Sequence, residues 1–262
     1  MEFVKIYPNS LSKDLCNTLI AKFEASNDKY PGITAGGLNP NTKKTMDLHS
    51  RHWTGPEWAG IDQQVCNELS RKINQYYKDI NDMYKNPEIE TGNKPLFFPN
   101  ELIQDSGYQI QRYKANDGKY IFHHDFSVSD MGGRALTFLW YLNDVNEGGH
   151  TGFYDGTKVQ PETGKLVMFP ATWTYVHKGF MPISNDKYIM TGWVYGKKRS
   201  EEIAIRDLNQ PTNQMQMQNP NQMQMPMPTI KENENEKERR ITRSMSRTTC
   251  HMNSATNPRT IS

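Results

Sequence analysis

The residues best equipped for chemistry lie in Lys119-Tyr-Ile-Phe-His123-His124-Asp125-Phe126. In an extended chain alternate side chains share a face, so His123 and Asp125 point one way and His124 the other. Two imidazoles and one carboxylate on one face of an octahedral ferrous ion leave three positions open, the donor set of oxygen-activating non-haem iron. An H-x-D alone is weak, because it arises in many chains as ordinary polar residues, and it needs a second histidine. Besides the 123–124 pair and His251 near the C-terminal end, the sequence offers His49, His52, His150 and His177. His49 and His52 fall in a stretch that reads as loop, where surface packing accounts for them. His150 follows the first pair too soon to return from a distant strand. His177, just beyond Phe169-Pro170, is placed to cross a sheet and face His123, and it is the expected third ligand.

A cation completes the set. In Asp186-Lys-Tyr-Ile-Met-Thr-Gly-Trp193 an alternating strand puts Lys187, Ile189, Thr191 and Trp193 on one face. A lysine aimed into a barrel is costly unless an anion meets it. The other reading keeps its ammonium in water at the strand's mouth. A dicarboxylate cosubstrate would satisfy the inward reading, one end on iron and the other on Lys187.

Several elements must position these groups. Phe3–Tyr7 reads as a short strand closed by Pro8. Ser10 or Ser12 can cap a helix carrying Leu11, Leu15, Leu19 and Phe23 at helical spacing. Tyr30–Trp58 is turn-rich and reads as loop. Ile61, Val65, Leu69, Ile73, Tyr77, Ile80 and Tyr84 form one apolar stripe of a long helix. From Tyr108 onward the pattern changes to strands. Tyr108–Tyr113 alternates, Ala115-Asn-Asp-Gly118 is turn chemistry, and Lys119–Phe126 is extended. Ala135–Leu142 is an unbroken apolar run, as in a central strand. Lys165–Phe169, Trp173–His177 and Tyr188–Tyr195 complete the series. The expected fold is mainly β with N-terminal helices: a double-stranded β-helix (jelly roll) of about eight strands. Residues 1–103 form a support region, 104–196 the jelly roll and 197–262 a tail.

Composition sets the limits of that core. All 10 Phe, 5 Trp and 13 Tyr precede Ser200. The imperfect repeat Asn213-Gln-Met-Gln-Met-Gln-Asn-Pro220 and Asn221-Gln-Met-Gln-Met-Pro-Met-Pro228 is low-complexity sequence that cannot bury a core and reads as disordered. Deleting residues 200–262 is therefore expected to leave the melting temperature nearly unchanged; a large drop in a thermal melt would mean that the tail packs. The chain has 31 Lys and Arg against 29 Asp and Glu, a net of +2. Residues 197–262 hold 11 against 7, leaving 20 against 22, a net of −2, in residues 1–196. No nucleic-acid partner is expected of so balanced a folded part. No C-x-x-C pair suggests structural zinc. No apolar run nears the ~18 residues that cross a bilayer, and no signal peptide opens the sequence, so the expectation is a cytoplasmic protein without a membrane partner.

Taken in order, Tyr113, Lys119-Tyr120, His123-x-Asp125, Arg134-Ala-Leu-Thr-Phe-Leu-Trp-Tyr-Leu-Asn143, Gly148-Gly-His-Thr-Gly-Phe153, Gly164-Lys-Leu-Val-Met-Phe-Pro170, His177-Lys-Gly179 and Lys187-x5-Trp193 resemble the prolyl 4-hydroxylase-like branch of the 2-oxoglutarate/Fe(II) dioxygenases. The resemblance covers residues 104–196. It implies His123, Asp125 and His177 as the metal ligands, Lys187 on the far carboxylate of 2-oxoglutarate, and Tyr113, Tyr141 and Thr191 as further cosubstrate contacts. It also implies Fe(II), 2-oxoglutarate and O2 as requirements, with ascorbate a further candidate, and succinate and CO2 as coproducts. Retention of Asp125 favours hydroxylation, since related halogenases lack that carboxylate. The family often has Glu where His150 stands, which alters the rim of the site. The substrate implied is a prolyl residue of a peptide or protein. A free amino acid or other small molecule is the rival, and a non-catalytic jelly-roll module that retains a metal is the alternative of another class.

Overall fold

A computed structural model describes residues 2–53, 55–83, 103–129 and 132–196. The proposed tail and Tyr84 lie outside these residues. Thirteen strands and two α-helices are present among them. Helix α1 (Lys13–Ala25) starts at Ser12, whose hydroxyl accepts from the Leu15 N–H at 3.2 Å, and buries Cys16, Leu19 and Phe23. Helix α2 (Pro56–Met83) opens on a proline, the residue best suited to a first helical position. Its stripe Ile61, Val65, Leu69, Ile73, Tyr77 and Ile80 is buried, as the spacing predicts, and Trp58, expected in the loop, is buried one turn earlier.

The strands form two sheets. The larger runs β1 (Lys5–Tyr7), β11 (Leu166–Pro170), β8 (Gly132–Tyr141), β13 (Lys187–Gly196), β5 (Ile103–Tyr113), β4 (Met46–His49), β2 (Tyr30–Pro31), with β7 (Val128–Ser129) paired to β8. The smaller runs β10 (Lys158–Val159), β9 (Thr151–Phe153), β12 (His177–Gly179), β6 (Lys119–His123), β3 (Lys43–Lys44). Every pairing is antiparallel, and the two sheets make a jelly-roll core.

Strand β8 shows why its run is apolar throughout. Leu136, Phe138 and Trp140 face the helices, in one cluster with Leu19, Val65 and Ile73. Leu139 and Tyr141 face the second sheet, in another cluster with Phe153, Val159, Phe169 and Ile189. A strand buried on both faces cannot alternate apolar with polar. The turn before β6 depends on Gly118: its N–H donates to the Lys114 carbonyl at 2.7 Å, and a Cβ there would sit 2.6 Å from the Tyr113 Cα.

Three expectations need correction. Tyr30–Trp58 is not all loop; it contributes β2, β3 and β4, and Leu48 and Asp47 are buried. These strands are two to four residues long and lean on β5 and β6, whose sequences lie far away, so no local pattern marks them. Together with the short β7, β9 and β10 they bring the strands among the described residues to thirteen rather than about eight. Trp173–Val176 is not strand: the Tyr175 N–H donates to the Thr172 carbonyl at 3.0 Å, closing a turn, and β12 begins at His177.

One buried carboxyl gives a stability test. On β5, Asp105 Oδ1 accepts the Gly107 N–H at 2.8 Å, but Oδ2 is buried without a partner among the described residues. Burial pushes this carboxyl above its ordinary range, and Asp62 adds to the effect. An acid so raised favours the folded state at low pH and loses that contribution as pH climbs through the folded-state pKa. Asp105→Asn is expected to add about 1 kcal/mol near neutral pH, a few degrees in melting temperature. The gain should vanish toward pH 4, as melts across pH will show.

Candidate functional site

His123 ends β6 and His177 starts β12, and the two stand directly opposite each other across that pair of strands. Their ring centroids are 4.2 Å apart. Asp125 follows β6 and closes the triangle: Oδ1 lies 3.7 Å from His123 Nε2 and Oδ2 3.7 Å from His177 Nε2. One donor atom from each residue falls within 4.8 Å of the others, the spacing of a set that could hold a metal ion.

The local chemistry fits an iron. His123 Nδ1 is 2.8 Å from the Ile121 carbonyl and His177 Nδ1 is 3.1 Å from the Tyr175 carbonyl. A carbonyl can only accept, so each Nδ1 carries the proton and each Nε2 offers a lone pair inward. Burial and the neighbouring His177 push His123 well below its ordinary range, which keeps that imidazole neutral. Burial works against the Asp125 charge, but His177 and His123 outweigh it and hold the carboxyl below its usual range, with help from Thr137. The Thr137 hydroxyl donates to Asp125 Oδ2 at 2.7 Å. The indole N–H of Trp193 is buried without a hydrogen-bond partner among the described residues, yet lies close enough to help hold the carboxyl ionised.

Packing fixes the rings. Tyr120 stacks on His123 at 3.5 Å between centroids, and Phe169 meets His177 edge-on at 4.9 Å. Strict alternation puts residues 120 and 123 on opposite faces. The register shift between His177/His123 and Gly179/Tyr120 sets Ile121 and Phe122 together against Lys178, a bulge that turns Tyr120 inward.

Lys187 starts β13, paired with Tyr113 on β5, and only 1% of it is exposed. Its ammonium donates to the carbonyls of Gly149 at 2.9 Å and Phe180 at 3.3 Å, and sits 4.0 Å over the Tyr113 ring. No carboxylate pairs with it among the described residues. Burial alone brings its pKa down to about 7. His123, Asp125, His177, Lys187, Tyr113 and Thr191 all line one cavity of about 480 Å³. A buried ammonium lining that space has the charge to receive an anion.

The remaining expected contacts differ. The Tyr113 hydroxyl donates to Gln111 Oε1 at 3.2 Å, and the Thr191 hydroxyl to the Phe138 carbonyl at 2.8 Å. Tyr141 stands behind the wall: its hydroxyl donates to Thr151 Oγ1 at 2.7 Å, and Thr151 is the residue that lines the cavity. His150 lies outside it, stacked on Phe180. Sequence reasoning missed Gln111, Thr137, Thr151 and a buried pair, Lys43–Asp47, at 2.6 Å. Thr137 and Thr151 sit inside quoted motifs, so the period-2 face of β8 could have flagged the first. Nothing local flags Lys43. Across the cavity the Arg134 guanidinium lies 3.6 Å over the Trp193 ring and donates to the Asp125 backbone carbonyl.

Comparison with known proteins agrees with this geometry. Residues 108–195 match the family model described as the 2OG-Fe(II) oxygenase superfamily. A probable prolyl 4-hydroxylase of Arabidopsis thaliana is 25% identical over 222 residues, 72% of this chain and 68% of that protein. A second from the same plant is 23% identical over 224 residues, 72% and 67% of the two chains. Among solved structures, a Pseudomonas putida prolyl-4-hydroxylase superposes with a TM-score of 0.51 at 19% identity, covering 76% of this chain and 94% of that one. A Trichoplax adhaerens prolyl hydroxylase, solved in complex with a hypoxia-inducible-factor peptide fragment, gives 0.53 at 17%, covering 78% and 87%. These structures share the fold. Residues 108–195 are thus similar to the 2OG-Fe(II) oxygenase superfamily, whose name gives iron and 2-oxoglutarate, and the chain as a whole is similar to prolyl 4-hydroxylases.

Proposed function

We propose that this chain hydroxylates a prolyl residue of a peptide or protein, with 2-oxoglutarate oxidised to succinate and CO2. In this reading residues 104–196 are the catalytic unit, residues 1–103 its support and 197–262 an appended tail. His123, Asp125 and His177 hold Fe(II). Lys187 takes the far carboxylate of 2-oxoglutarate, with Tyr113 and Thr191 beside it and Tyr141 acting through Thr151. Bound iron supplies the activation of O2, the step that no side chain here can perform. The observation that carries the reading is the convergence, in one cavity, of a His-Asp-His triangle and a buried ammonium with no carboxylate of its own.

The chain's own residues do the rest. Two backbone carbonyls lock both imidazoles with Nε2 inward, and Thr137 holds one carboxylate oxygen of Asp125, so the donor set is arranged before any ion arrives. Leu139 and Ile189 give the cavity apolar walls that keep water from the reacting centre. Lys187 orients the cosubstrate from its far end, which leaves its other end for the metal side. The prolyl preference is supported by the names of the Arabidopsis relatives, and the peptide class by the peptide bound to the Trichoplax enzyme.

The test is mass spectrometry on a panel of proline-containing peptides incubated with the protein, Fe(II), 2-oxoglutarate and O2. One oxygen should be gained on a prolyl residue, with succinate formed in step. Oxidation of free amino acids and of none of the peptides would move the assignment to a small-molecule hydroxylase.

A further inference from the structure

The outer face of the smaller sheet has no part in the site and carries its own pattern. Lys158 on β10, Gly152 on β9 and Lys178 on β12 stand in one row across three strands, on the face opposite buried His177. The two lysines are therefore separated by two strand spacings, about 10 Å. At the other edge Lys44 on β3 is directly opposite Lys119 on β6. Like charges in that relation cost stability. Asp117 offsets the cost at Lys44 alone. Lys119, Lys158 and Lys178 form no ion pair among the described residues. The local potential is positive enough that Lys158, Lys187 and Lys178, after burial itself, depress His150.

Between the lysines lies an aromatic floor. Phe122 is 45% and Tyr154 78% exposed, and the two meet edge-on at 6.1 Å. The Lys178 ammonium stands over both Phe122, at 5.6 Å, and Phe180, at 4.5 Å, while His150 stacks on Phe180 at 4.0 Å. These contacts decide the class of partner. A single-stranded nucleic acid needs a run of bare ring faces on which successive bases stack, and here an ammonium or an imidazole already sits on both phenylalanines, which leaves Tyr154 as a single open ring. What remains open is a row of ammonium groups, of which Lys178 is held over two rings.

We propose that this face is a docking surface for an acidic segment of a partner polypeptide, whose carboxylates pair with Lys119, Lys158 and Lys178. The array lies on the outside of the sheet whose inner face carries His123 and His177, so a partner held there leaves the cavity open. Pairing of exposed charges sets encounter and specificity, and it weakens with salt.

Fluorescence anisotropy with a labelled deca-glutamate peptide tests this on the full chain. The peptide should bind at low ionic strength and lose affinity as salt is raised. Lys119→Glu with Lys158→Glu should weaken binding by about ten-fold or more, and the two glutamine substitutions by an intermediate factor. Lys13→Glu with Lys78→Glu, the same charge change on exposed helix positions, should leave binding close to wild type, and thermal melts will report that each variant is folded. The proposal is overturned if the peptide does not bind, if both glutamate pairs weaken it equally, or if an oligothymidylate of equal charge binds more tightly than the peptide.

Discussion

Asp125→Ala is expected to abolish iron-dependent succinate formation while the protein stays folded. Partners one bond removed from a metal, such as Thr137 here, are worth ~10–100-fold in affinity or activity. Loss of a ligand atom should therefore cost at least ~100-fold. The fold should survive because the carboxylate is bought at a cost: burial opposes its charge, and only His177, His123 and its hydrogen-bonding neighbours keep it ionised. Its removal frees the Thr137 hydroxyl and leaves the surrounding strands paired. Two readouts separate metal loss from collapse. Added Fe(II) should raise the melting temperature of the wild type by mass action and do little for the variant, while the metal-free melts stay close. Unchanged succinate formation would remove Asp125 from the site.

Those residues were the most legible part of the sequence, for a physical reason. An inward polar side chain in a strand that is otherwise apolar or aromatic stands out against period-2 alternation. Lys187, Ile189, Thr191 and Trp193 do share the face that lines the cavity. His177 was reachable by elimination among few histidines. The helix stripes were equally clear, because their apolar residues face one sheet. Legibility failed where geometry departs from the regular period or where partners are remote. The bulge at Ile121–Phe122 places Tyr120 on His123 against alternation. Lys43 and Asp47 sit on strands of two and four residues, inside a turn-rich stretch, and gain their burial from β5 and β6. Tyr141 has the right strand and face, but Thr151 intervenes from another element. The lysine face was invisible as well: its members run from residue 44 to residue 178, and the summed charge of residues 1–196 conceals them.

Lys187→Ala is expected to raise the 2-oxoglutarate concentration needed for half-maximal turnover by on the order of 100-fold, with a smaller change at saturation, since truncating one partner of a buried charge pair costs ~2–5 kcal/mol. The pH dependence sharpens the test. In the ligand-free protein burial lowers the Lys187 pKa from 10.5 to about 7. Between those values the unfolded chain holds a proton that the folded one does not, so the ligand-free protein should gain stability as pH rises from about 7 toward 10.5. A bound carboxylate reverses the preference and restores the ammonium. Above pH 7 cosubstrate binding should therefore take up a proton and weaken with rising pH, by at most ten-fold per unit. Calorimetry in buffers of different ionisation enthalpy measures that proton directly, and Lys187→Ala should show neither the uptake nor the slope. If the variant's cosubstrate requirement is unmoved, the far carboxylate is held by another group, and Lys187 is a buried amine resting on the carbonyls of Gly149 and Phe180 and the Tyr113 ring.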